Sequence, residues 1–153
     1  VPTLFLIAGI ICIDQLLKSY IQQTMVIGAS LPIITDIFHI TYILNPGAAF
    51  GILENQRIFF ILIAIMMICV VGYIYPKIPA KDKFLRFGIA LLVGGAIGNV
   101  IDRIKLGYVV DFLDFRIWPV FNFADITIVS GVGIIIYSVW FLSNIKDENN
   151  ECK

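Results

Sequence analysis

Four separate runs of apolar side chains, at residues 3–21, 58–75, 84–101 and 123–142, each approach the ~20 residues that an α-helix needs to cross a bilayer. A chain with four such runs has few folds open to it. In hydrocarbon every backbone polar group must be satisfied internally, so each run is expected as a spanning helix. Composition agrees: of 153 residues, 59% are hydrophobic and 14% charged, against about 25% charged in soluble domains. A soluble enzyme and a disordered module are both excluded. Eleven basic and eleven acidic residues leave no net charge, hence no basic footprint for nucleic acid. The expectation is one integral membrane α-helical domain over residues 1–153.

The segments between the runs are unequal. Residues 76–83 are short, begin at Pro76, and hold Lys77, Lys81 and Lys83, with Arg86 just inside the next helix. The positive-inside rule places this turn in the cytoplasm. Four spans then put both termini inside and the segments 22–57 and 102–122 outside. The first run has neither a basic n-region nor a small-residue cleavage site, so it reads as a mature span. The missing initiator Met is expected of a processed or trimmed chain. Cys12, Cys69 and Cys152 are odd in number and lack metal-ligand spacing, so no disulfide framework is expected. His39, a lone histidine, cannot supply a zinc site by itself and reads as a strand surface residue.

Residues 37–44 alternate. Phe38, Ile40, Tyr42 and Leu44 fall on one side, and Ile37, His39, Thr41 and Ile43 on the other, which predicts a strand in a small extracytoplasmic sheet at the membrane surface. An edge of that strand would be open to pairing with an extended peptide. Asn45-Pro46-Gly47 then breaks it.

Ionisable residues within apolar runs are costly, and by default they mark function. Asp14 lies ~10 Å inside the end of the first run, with Lys18 one turn further out on the same face. Two readings stay open: an i,i+4 pair with Lys18 snorkelling outward, or an Asp14 that faces the bundle and orders a site. Gly94 and Gly98 have GxxxG spacing, which suits close helix packing. Asn99, Asp102 and Arg103 share one face near the outer end of the third run. Asp102 and Arg103 read as a charge cluster in which Arg103 neutralises Asp102, and Gly107 can stop the helix. Asp114 and Arg116 read as solvated surface. Asn122 is a plausible N-cap for the fourth run and Asp125 falls at N3, where an acid offsets the helix dipole; that pattern alone favours simple capping.

Asp111, in the apolar run 108–113, and Asp125 both belong to the outer membrane edge, and the short connection between them could bring them together. Two carboxylates in one partly dehydrated pocket cannot both ionise cheaply, so one holds a proton while the other stays basic. Such a pair can activate water and protonate a leaving amine, the chemistry of aspartic peptide hydrolysis. Which of the two holds the proton is open at this level. Two other classes fit the acids less well: an ion or proton transporter using them as a relay, and an assembly subunit whose acids lock helices together. A relay needs polar stations in the inner half of the membrane, where the second and third runs have no acid.

Five motifs resemble those of the lipoprotein signal peptidase (signal peptidase II) family: Asp14-Gln15 with Lys18, Asn45-Pro46-Gly47-Ala48-Ala49-Phe50, Gly98-Asn99 with Asp102-Arg103, Val109-Val110-Asp111-Phe112, and Phe121-Asn122-Phe123-Ala124-Asp125. They occur in the family's order and span nearly the whole chain. The resemblance implies four transmembrane helices with a small extracytoplasmic β-cradle and a short surface helical segment, in a bacterial cytoplasmic membrane. It implies Asp111 and Asp125 as the catalytic pair. Asp14, Asn45, Gly47, Asn99, Asp102, Arg103, Asn122 and Ala124 match positions that shape or support the site. The implied substrate is a prolipoprotein already carrying diacylglycerol on its lipobox cysteine, cleaved just before that cysteine without metal or other cofactor. Membrane lipid and globomycin-type inhibitors are the other partners implied. Ile126 departs from the pattern, which often has a small hydroxyl residue there, and residues 112–120 look compact.

Overall fold

The computed structural model describes residues 2–47, 53 and 55–151, with side chains described as far as Trp140. Ala48, Ala49, Phe50 and Cys152 lie outside the described residues. All four apolar runs are helices: α1 (Pro2–Thr24), α2 (Arg57–Ile74), α3 (Lys83–Leu106) and α4 (Phe123–Glu151). Each is long and apolar enough to cross a membrane. A 3-10 turn, Tyr75–Lys77, ends α2 where Pro76 enters. Residues 48–52 and 54 also lie outside the described residues.

α3 is the hub and touches each of the other three helices. Its buried residues are mostly small: Gly88, Ala90, Gly94, Gly95, Ala96 and Gly98. Missing side chains let neighbouring backbones approach closely, which suits a bilayer where lipid is as apolar as the helices. A Cβ at Gly94 would sit 2.9 Å from Ile10 of α1, and one at Gly95 would collide with Ala124 O and Thr127 of α4. The GxxxG face therefore receives α1, while Gly95 beside it receives α4. No residue of α2 is buried, so that helix stands at the periphery. α3 runs five residues beyond the expected end and stops at Gly107, whose φ of 85° suits glycine and whose N–H bonds Arg103 O at 3.1 Å. Asn99, Asp102 and Arg103 consequently lie on helix rather than at its frayed end.

The expected strand is present as β2 (Phe38–Asn45), flanked by β1 (Ser30–Ile34) and β3 (Val109–Asp114) in an antiparallel sheet of order β1-β2-β3. β2 is thus central, and the reading that its edge is free for peptide pairing is overturned: both edges are taken. Tyr42, with Ile40 and Leu44 beside it, packs with Val110, Phe112 and Ile21, which seats the sheet on the end of α1. β3 was not anticipated from the sequence. Its burial is nearly continuous rather than alternating, so the period-2 signal is missing.

Candidate active site

α1 buries one stripe, Ile10, Asp14, Lys18 and Ile21, at helical spacing. Two of its four members carry charge. The Lys18 ammonium meets Asp14 Oδ2 at 2.9 Å and Asp102 Oδ2 at 2.8 Å, and is 2% exposed. The i,i+4 pair exists, but the snorkelling reading is overturned: a second carboxylate from α3 holds Lys18 inside. Asp14 also accepts the main-chain N–H of Ala124 at 3.1 Å, so it faces the bundle and supports the start of α4. Gln15, which sequence reasoning left without a role, donates to Asp102 Oδ1 at 2.9 Å.

Arg103 acts on Asp102 through charge but makes no direct ion pair with it among the described residues. Successive helix residues point about 100° apart, and Arg103 turns instead to Gly47 O at 3.2 Å and to the Phe60 ring at 4.7 Å. Asp114 is not solvated surface either. It is covered by the sheet and accepts Thr41 Oγ1 at 2.7 Å and Arg116 Nη1 at 3.0 Å, while Arg116 itself is exposed. At Asp114 burial raises the carboxyl, but the bonds from Thr41 and from the main chain and guanidinium of Arg116 outweigh it and hold it below the ordinary range.

Asn122 caps α4 as the sequence suggests. Its Oδ1 accepts the Asp125 N–H at 3.0 Å, and its own N–H donates to Asp125 Oδ2 at 3.2 Å, a reciprocal capping box. The same Asn122 then does more, donating through Nδ2 to Asp111 Oδ1 at 2.6 Å and to Asn99 Oδ1 at 3.1 Å. Asn99 Nδ2 donates to Asp125 Oδ1 at 2.7 Å. The two aspartates from β3 and α4 are therefore tied together by a shared pair of asparagines. On its far side Asp111 Oδ2 accepts Asn45 Nδ2 at 2.8 Å, and Asn45 Oδ1 takes the Gly47 N–H at 2.9 Å, which fixes the amide's orientation. Gly47 needs no left-handed turn for this; among the described glycines only Gly28 and Gly107 have positive φ.

Asp111 is 2% exposed. Burial, and next the charge of Asp125, push its carboxyl up to about 7, against the opposing amide bonds of Asn45 and Asn122 and the charge of Lys18. Asp125 is only partly buried. Both line one cavity of about 570 Å³. Its polar end holds Asn45, Asn99 and Arg103, and its apolar wall includes Phe60, Met67 and Leu92. Such a space has room for an apolar chain beside a peptide bond, with the Asp111 and Asp125 carboxyls at its polar end. All ten sequence-selected residues, Asp14, Asn45, Gly47, Asn99, Asp102, Arg103, Asp111, Asn122, Ala124 and Asp125, belong to this one connected group. A second apolar cleft, of about 300 Å³ between Thr3 and Tyr75, lies toward the other end of the bundle and contains no acid.

Residues 6–141 match the family model described as signal peptidase (SPase) II. A lipoprotein signal peptidase of Pelotomaculum thermopropionicum is 42% identical over 146 residues, covering 95% of this chain and 94% of its own. One from Brevibacillus brevis is 48% identical over 148 residues, covering 94% and 97%. A solved bacterial membrane enzyme superposes with TM-score 0.85 at 36% identity, over 97% of this chain and 90% of that one. A second gives 0.82 at 37%, over 90% and 92%.

Proposed function

The chain belongs to the signal peptidase II family, and on that premise we propose that Asp111 and Asp125 are the acid–base pair with which this membrane-embedded aspartic peptidase removes signal peptides from lipoproteins. The observation that carries the assignment is the shared amide clamp, Asn122 on Asp111 and Asn99 on Asp125, at the polar end of a largely apolar cavity.

The roles follow from environment. Asp111, the more buried acid, starts protonated. Asp125 takes a proton from water as the water oxygen attacks the scissile carbonyl carbon, and Asp111 gives its proton to the carbonyl oxygen. A neutral gem-diol results. Asp125 then passes its proton to the leaving nitrogen, the C–N bond breaks, and Asp111 recovers a proton from the diol. The substrate class is a bacterial prolipoprotein with diacylglycerol on its lipobox cysteine, cut just before that cysteine: the apolar wall suits the lipid and the aspartates face the peptide. Membrane lipid and a globomycin-type inhibitor would meet the same apolar wall. The lysine-rich turn 76–83 lies at the opposite end of α3 from the aspartates, which supports cytoplasmic termini and an extracytoplasmic site. An ion or proton relay is not favoured, because Asp14 and Asp102 are closed into a cluster around Lys18.

The test is to incubate the detergent-solubilised protein with a diacylglyceryl-modified lipobox peptide, with and without a chelator, and to follow the product by mass. Cleavage before the lipidated cysteine is expected, with loss of at least ~10³-fold in Asp111→Asn and in Asp125→Asn. Full activity in either folded variant would falsify the pair.

A further inference from the structure

Lys18 takes no part in the chemistry just described, yet it is among the largest fully buried side chains of the molecule. An ammonium has three donors and no acceptor. Here all three have partners: Asp14 Oδ2 at 2.9 Å, Asp102 Oδ2 at 2.8 Å and Asn99 Oδ1 at 3.0 Å. The third contact matters for the site. An asparagine amide is nearly symmetric in shape, and only its neighbours decide which end is oxygen. With its oxygen on Lys18, Asn99 must turn its NH₂ to Asp125, where it donates at 2.7 Å. The flipped amide would set NH₂ against an ammonium and a carbonyl against a carboxylate, two repulsive contacts in place of two charge-assisted bonds.

Asn122 also donates to Asn99 Oδ1, at 3.1 Å, but Asn122 is itself an amide, oriented by the Asp125 N–H. Lys18 is the member of this row that cannot present an acceptor at all. Its neighbour Arg103 is no substitute, since its guanidinium goes to the Gly47 and Asn99 carbonyls and the Phe60 ring. We infer that Lys18 is a positioning residue for the peptidase reaction: from α1 it fixes the Asn99 amide in the one orientation that aims an N–H at Asp125, and so sets the geometry of the catalytic pair. This rests on the assignment of Asp111 and Asp125 above.

Removing Lys18 alone strands two buried carboxylates, so the deciding variant is the double substitution Lys18→Met with Asp102→Asn, which removes one charge of each sign. It is compared with Asp102→Asn alone and with Lys18→Gln. Each is assayed for thermal unfolding in detergent and for kcat and KM on the diacylglyceryl-lipobox peptide. The expected result is a folded double variant whose kcat is ~100-fold below that of Asp102→Asn, the scale of a misplaced catalytic group, with KM within about threefold. A folded double variant whose kcat matches Asp102→Asn overturns the inference, as does a change confined to KM. Loss of folding in both Lys18 variants also overturns it, assigning the residue to stability alone. An inactive wild type, or an active Asp111→Asn, removes the catalytic assignment instead, and so the two failures are distinguishable.

Discussion

The carboxylate of Asp14, in the middle of α1, accepts the main-chain N–H of Ala124 at 3.1 Å, so one spanning helix caps the first turn of another 110 positions away. The first N–H groups of a helix have no partner within it, and a bilayer offers little water to replace one. Asp14 satisfies the Ala124 donor, as Asn122 does that of Asp125. Asp125, on the first turn of α4, thus inherits its position from a residue on α1.

Asp14→Ala is expected to destabilise the protein by about 3–5 kcal/mol, the usual cost of removing one partner from a buried ion pair. Asp14→Asn keeps an acceptor for Ala124 and should lose less. Thermal unfolding of the two variants in the same detergent checks the order, and equal losses would contradict the capping role.

Activity should depend on pH through Asp111. If the reaction starts from its protonated form, kcat/KM falls on the alkaline side with an apparent midpoint near the value of about 7 set by burial and by Asp125, a property of the coupled pair rather than of one residue. The Asn45 bond opposes that shift, so Asn45→Ala should move the alkaline limb to higher pH. A limb that stays put or moves down contradicts the assignment of Asp111 as the acid.

Stability should respond to the same group. An acid whose folded value lies above its unfolded value binds its proton more tightly when folded, so its contribution is full below about 3.8 and declines as pH rises toward about 7. Asp111→Asn cannot ionise and should flatten that part of the curve. Midpoints of thermal unfolding across pH 4–8 for both proteins make the comparison.

Two glycines should behave in opposite ways. A Cβ at Gly95 would meet the Ala124 carbonyl and Thr127, whereas one at Gly133 would meet nothing within 4 Å. Gly95→Ala is expected to cost about 1–3 kcal/mol through overpacking and to lower activity by pushing α4 away. Gly133→Ala should be neutral or stabilise by up to about 1 kcal/mol through helix propensity. Unfolding midpoints and cleavage rates of the two variants decide.

The set of ten candidate-site residues came from the family resemblance, whereas the spans, the strand (expected at 37–44, found at 38–45), the Asn122 cap and the acids Asp14, Asp111 and Asp125 were legible in the sequence itself. They rest on local properties: apolar length, alternation, capping chemistry, and the cost of placing an acid in an apolar run. What the tertiary structure alone decided is who meets whom. Asp102 and Arg103 are neighbours in sequence but point apart, and the partner of Asp102 is Lys18, more than 80 residues away. β2 has no free edge because β1 and β3 pair on both sides of it. Asp111 sits on a strand whose unbroken burial hides its period. Apolar patterning sorts residues between lipid and interior, but ion pairs and amide orientations depend on distances between helices, which appear only once small residues on α3 let α1 and α4 close upon it.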